Sequence, residues 1–160
     1  MGHQRIDKPS AQPQDELETT LYINQLGGGP NRNQAFVIDT HENLGFGQAT
    51  VADWSIVAGP ELGARIAGRA QGILFQSSHA EPILWTTILN LKFNNETFPG
   101  STLQVMGFLP TDGDWSIIGG TGEFHLARGT ISHKVVRDAP GDRLYEIYIH
   151  VYYTPKDQNK

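Results

Sequence analysis

Apolar residues recur at alternate positions along most of the chain, in short runs broken by turn-forming residues. The clearest run is residues 144–154, where Tyr145, Ile147, Ile149, Val151 and Tyr153 alternate with Leu144, Glu146, Tyr148, His150 and Tyr152. That period belongs to a strand with one buried face. Residues 83–93 place Ile83, Trp85, Leu89, Leu91 and Phe93 on a single face and predict a core strand. Further strand-like runs cover residues 17–24, with 34–38 as a continuation, then 45–57, 64–76, 101–109 and 124–136. Within 45–57, Phe46, Gln48, Thr50, Ala52 and Trp54 share one face, and Gly47, Ala49, Val51, Asp53 and Ser55 the other. Gly68 and Gly72 alternate with Ile66, Ala70 and Leu74 opposite Arg69, which lets neighbouring backbone approach as a curved sheet requires. Pro110-Thr111-Asp112-Gly113 and Asp138-Ala139-Pro140-Gly141-Asp142 predict turns. No helical period of ten residues, internal repeat or heptad occurs, so the pattern predicts an all-β barrel or sandwich. Residues 1–16 are polar and aperiodic, which predicts a tail, a domain over 17–155 and a second tail over 156–160.

Gly119-Gly120-Thr121-Gly122 separates Ser116-Ile117-Ile118 from the run that begins at Phe124 and carries Arg128, and predicts a tight hairpin. Neither a lysine nor a helical pattern follows these glycines, so they are not read as a phosphate cradle. Arg128 shares its predicted face with Phe124, Leu126 and Thr130. If that face is enclosed, the guanidinium needs a carboxylate or a ligand, and Asp53 is the carboxylate the pattern offers. From the residues alone such a pair reads first as a structural ion pair at a barrel end. Arg69 is assigned to structure first. Tyr148, Tyr152 and Trp54 are aromatic residues able to stack on a ring, although strand aromatics are core or rim by default. His125 and His133 sit eight residues apart, about 26 Å at roughly 3.3 Å per residue, too far to share a metal. No Gly-x-Ser-x-Gly occurs, so neither a metal centre nor a hydrolase is motivated.

Composition narrows the partners. The 160 residues include 17 acidic and 12 basic side chains, a net charge of −5 without a basic run. Nucleic acid and anionic membranes are therefore not expected partners. The absence of cysteine excludes disulfides, thiolate nucleophiles and cysteine-held metals. Residues 1–20 lack the apolar core of a secretory signal, which predicts a cytoplasmic location as written, or an extracellular one if the chain is a processed form. Asn95-Glu96-Thr97 is a glycosylation acceptor pattern of the secretory route.

The run Gly119-Gly120-Thr121-Gly122-Glu123-Phe124 with Ala127-Arg128-Gly129 resembles the signature of the plant dirigent proteins. Gly45-Phe46-Gly47 with Val51-Ala52-Asp53, Gly68-Arg69-Ala70-Gln71-Gly72 and Gly100-Ser101-Thr102-Leu103-Gln104-Val105-Met106-Gly107 match the family in order. The resemblance implies an eight-stranded antiparallel β-barrel of the dirigent and allene-oxide-cyclase kind, commonly trimeric, that binds phenolic radicals or quinone methides and directs their stereoselective coupling. It implies no cofactor and no redox chemistry of the barrel's own, the radicals coming from a separate oxidase. Asp53, Arg128 and Glu123 become the expected catalytic groups, acting by acid assistance, and Phe46, Trp54, Phe124, Tyr148 and Tyr152 the expected substrate-binding ones. The alternative is a non-enzymatic defence domain that binds an oligosaccharide such as a galactoside, as in dirigent domains joined to lectin domains in grasses.

Overall fold

The computed structural model describes residues 14–94, 96 and 98–156. Its strands are β1 (Asp15–Leu26), β2 (Gln34–Ile38), β3 (Ala49–Val57), β4 (Ile66–Gln76), β5 (Trp85–Phe93), β6 (Thr102–Leu109), β7 (Asp112–Thr121), β8 (Arg128–Ala139) and β9 (Asp142–Tyr153). All neighbours are antiparallel, in the order β1-β9-β8-β7-β6-β5-β4-β3, and β1 returns to β3 through Tyr22–Asn24 against Ser55–Val57 to close an eight-stranded barrel. β2 fills the other half of the gap beside β3, pairing Gln34–Ile38 with Ala49–Ala52. Closure at this seam rests on the three residues Tyr22–Asn24, and β2 pairs with β3 alone. Among the described residues the helical content is two 3₁₀ turns, Asn43–Gly45 and Gly122–Phe124.

The interior is filled by alternate residues of each strand: Ile23, Ala52, Trp54, Ile56, Ala70, Leu74, Leu89, Leu91, Leu103, Val105, Trp115, Ile117, Ile131, Tyr145, Ile147, Ile149 and Val151 are all buried. Gly68 and Gly72 sit on the inward face, where a Cβ would collide with the Lys92 and Ile88 carbonyls of β5 respectively. Those glycines let β4 and β5 approach closely, as the alternating pattern predicted. Outside, Val51, Ile73, Ile88 and Met106 lie in one cross-strand row over β3 to β6, and Phe75, Phe108 and Ile118 extend it as an exposed apolar face.

Several expectations change. β1 begins at Asp15, ahead of the expected start at residue 17. β3 begins at Ala49 rather than at residue 45, because a 3₁₀ turn with left-handed backbone at Leu44 (φ 58°), Gly45 (φ 75°) and Gly47 (φ 83°) precedes it. The glycine run is not a tight hairpin turn: β7 continues through Gly119, Gly120 and Thr121, and the chain reverses over the 3₁₀ turn that follows. Gly120 has no room for a Cβ against Phe124 and Ala127, and Gly122 turns at φ 67°. The turn folds Phe124 into the barrel end, edge-on to Phe93 (5.6 Å) and Tyr153 (5.3 Å) and tilted on Phe98 (4.8 Å). This aromatic cluster plugs one end of the barrel. Asn95 and Thr97, with residues 1–13 and 157–160, lie outside the described residues.

Candidate functional site

Arg128 is not in the lumen. The left-handed backbone of Leu126 (φ 55°) breaks the alternation between Phe124 and Arg128, so Phe124 is buried and Arg128 exposed. Among the described residues the guanidinium donates outward, its Nη2 to Gln14 Oε1 (2.9 Å), and its carbon lies 5.4 Å from the centre of the Tyr152 ring. Asp53 is on the outer face of β3, where Arg69 Nη2 meets its Oδ2 at 2.7 Å and Arg69 Nε donates to its Oδ1 at 2.9 Å. Arg69 holds the Asp53 carboxyl below its ordinary value, against a smaller opposing effect of burial. The side chains are 50% and 39% exposed, so water screens the pair and exposed pairs of this kind contribute roughly 0–1 kcal/mol. The expected Asp53–Arg128 pair therefore does not form, and Arg69 takes the place given to Arg128. Glu123 is exposed, Phe46 stacks on His79 (3.7 Å) outside the barrel, Trp54 is in the core, and Tyr148 and Tyr152 are on the outer face with Glu16, Glu18 and His150. The structure does not bring these residues into one site.

What the barrel encloses lies at the end opposite the aromatic plug. A cavity of about 210 Å³ opens there, lined by Gln25, Gln34, Phe36, Thr50, Leu74, Trp85, Leu109 and Arg143. β1 and β9 place Gln25 opposite Arg143, and β5 and β6 place Trp85 opposite Leu109. Phe36 of β2 leans over the rim, its ring 6.4 Å from that of Trp85 at 55°. Gln34 holds β2 to the wall, because its Oε1 accepts from both Trp54 Nε1 and Gln25 Nε2 at 2.9 Å. Arg143 is the cation of this mouth. The Tyr145 hydroxyl and the Asp138 carboxylate, 3.1 Å from Arg143 Nε, favour its protonated form against partial burial. Asp138 engages the Nε edge, and no carboxylate is among the cavity's lining residues. The site thus offers aromatic walls, a guanidinium and two amides.

Alternation along β9 carried the signal for Arg143, which has the parity of Tyr145, Ile147 and Ile149; assigning residue 142 to a turn and starting the strand at 144 hid it. His133, by the same rule, points inward with Ile131. It is 3% exposed, packed on Trp115 (4.5 Å between rings) and on the edge of Tyr145 (6.1 Å).

Residues 17–152 match the model of the Dirigent-like protein family. The chain belongs to the dirigent family. It is 32% identical over 111 residues to Dirigent protein 11 of Arabidopsis thaliana, covering 68% of this chain but only 57% of that relative's length. It is 30% identical over 152 residues to Pterocarpan synthase 1 of Glycyrrhiza echinata, covering 88% of this chain and 80% of the relative. A solved structure of a pterocarpan synthase dirigent protein superposes with a TM-score of 0.84 at 25% identity, covering 94% of this chain and 92% of that one. The dirigent signature of this chain builds the plugged end of its barrel, far along the sheet from the open mouth.

Burial pushes the His133 imidazole below its ordinary value, against weaker opposing effects of the Phe108 carbonyl, Asp114 and Asp112. The unfolded chain takes up this proton near pH 6.5 and the folded chain only at lower pH, so between the two the unfolded state binds more protons. The stability linked to His133 is therefore complete above about pH 6.5 and declines as pH falls below it. Urea midpoints measured from about pH 7 to 5.5 should drop, and drop less in His133→Phe. Parallel profiles for the two proteins would show that His133 contributes nothing.

Proposed function

We propose that this dirigent-family barrel binds a phenolic radical or a quinone methide in its open mouth and directs which face couples or cyclises. The observation that carries the reading is Arg143, a guanidinium in a partly enclosed cavity walled by Phe36, Trp85, Leu74 and Leu109. When a hydroxyl adds to a quinone methide, the new bond leaves negative charge on the former carbonyl oxygen, and that oxygen takes up the proton the hydroxyl loses. A fixed guanidinium favours the geometry in which the charge develops beside it. Radical coupling needs no charge transfer, only two rings held so that one pair of faces meets; the oxidant is then a separate oxidase. The pterocarpan synthases among the relatives support the cyclisation form, and the aromatic lip supports both.

The exposed apolar face over β3 to β6 supports assembly into a homotrimer, since contiguous apolar patches of this kind mark contact surfaces. The test adds the protein to an oxidase and coniferyl alcohol, or to a preformed quinone methide, and measures enantiomeric excess, with sedimentation of the same sample. One enantiomer in excess, from a species well above 17.6 kDa, is expected. Racemic product from both substrates removes the reading. Racemic product together with calorimetric heat from oligogalactosides moves it to the open cleft lined by Asn31, Arg32, Asn33, Asp53, Ser55 and Arg69.

A further inference from the structure

Behind the residues that line the mouth, Gln25 among them, His133 and Tyr145 are buried side by side on β8 and β9, and the three side chains carry polar atoms with unmet hydrogen-bonding capacity. Among the described residues, both ring nitrogens of His133, the Tyr145 hydroxyl and Gln25 Oε1 have no hydrogen-bond partner. Native interiors leave few such groups, and each is costly unless something else meets it. Here they are gathered. Tyr145 is the next inward residue of β9 after Arg143, and β8 sets Val135 opposite Tyr145 and His133 opposite Ile147. The chain's own neighbouring groups do not use up this capacity. The Phe108 carbonyl, which accepts from Trp115 Nε1 at 2.9 Å, can at most also take one ring N–H of His133 and leaves the other ring nitrogen an acceptor without a donor. Arg143 only donates, so even where it approaches Tyr145 it leaves the tyrosine's own proton without an acceptor. Trp115 packs on His133, Ile23 stands opposite Tyr145 and Ile147 opposite His133, and their side chains carry no acceptor.

We propose that His133 and Tyr145 form a hydroxyl-recognising floor beneath the barrel mouth, so that the molecule bound there enters with a free phenolic hydroxyl leading and keeps a second oxygen at Arg143. The inference rests on the mouth being the binding site. A neutral imidazole has one acceptor nitrogen and one donor, and the tyrosine adds a donor. A phenolic hydroxyl donates to the imidazole and accepts from Tyr145, whereas a methyl ether at the same place has no proton to give. The guanidinium cannot make this distinction, because it donates to hydroxyl and ether alike. Preference for hydroxyl over ether therefore reports an acceptor in the floor.

The probes are 2-methoxyphenol and 1,2-dimethoxybenzene, titrated by calorimetry into wild type, His133→Phe, His133→Gln and Arg143→Gln. Wild type should prefer the phenol about tenfold, which equals about 1.4 kcal/mol. His133→Phe should lose that preference, His133→Gln should restore part of it with its amide, and Arg143→Gln should weaken both probes while keeping it. Ring ¹⁵N shifts of His133 in wild type should move with the phenol and stay with the ether, a readout that needs no variant to fold. A preference that survives His133→Phe, or a His133 ring unmoved by saturating phenol, overturns the floor and leaves the mouth as the site. Failure of wild type to bind either probe, or binding indifferent to Arg143→Gln, overturns both.

Discussion

Arg143→Gln is expected to cut the preference for one coupling or cyclisation product by about tenfold or more while leaving the barrel folded. The size follows from a charged donor's hydrogen bond, worth about 1.5–3 kcal/mol, being lost from the favoured geometry alone. Glutamine keeps the Cβ–Cγ–Cδ stem and an amide donor near the place of Nε, so the walls of Phe36, Trp85 and Leu109 keep their shape. The cost in stability is small, because the carboxylate left behind, Asp138, is 54% exposed and remains hydrated. Asp53→Asn and Arg128→Leu act on the outer face and should leave selectivity at the wild-type value. Enantiomeric excess for all three variants, with melting temperatures, decides the matter. Selectivity that persists in Arg143→Gln and collapses in Asp53→Asn or Arg128→Leu would return the site to the residues the sequence pattern favoured.

Phe124→Ala is expected to have the largest effect on stability. Its ring is 1% exposed and touches Phe93, Phe98 and Tyr153, so its removal empties the centre of the aromatic plug. Truncating a buried phenylalanine costs about 3–5 kcal/mol, which for a domain of this size lowers the melting temperature by about 6–20 °C. The plug and the mouth are at opposite ends, so selectivity below the new melting point should match wild type. A variant that melts within about 2 °C of wild type yet gives racemic product would instead place Phe124 against the substrate, as its position in the family signature suggested.

These expectations divide along the line between pattern and packing. Alternation alone determined the strands, because a two-residue period with one apolar face has few stable outcomes other than a sheet closed or stacked on itself. It also set the inward faces of β5 and β9, and the alternating glycines marked where β4 approaches its neighbour. The resemblance carried by residues 119–129 determined the family. Alternation could not carry a face across a turn, since a residue in left-handed backbone can reverse the faces that follow it. Leu126 does this between Phe124 and Arg128, and the turn at Leu44 to Gly47 separates Phe46 from the face of Trp54. Only the tertiary structure decided that Asp53 meets Arg69, through the register of β3 on β4. It alone brought Gln25, Phe36, Trp85 and Arg143, from four strands spread over most of the chain, around one opening. Barrel closure creates that cavity, and closure depends on contacts between residues far apart in sequence, for which the local pattern carries no term.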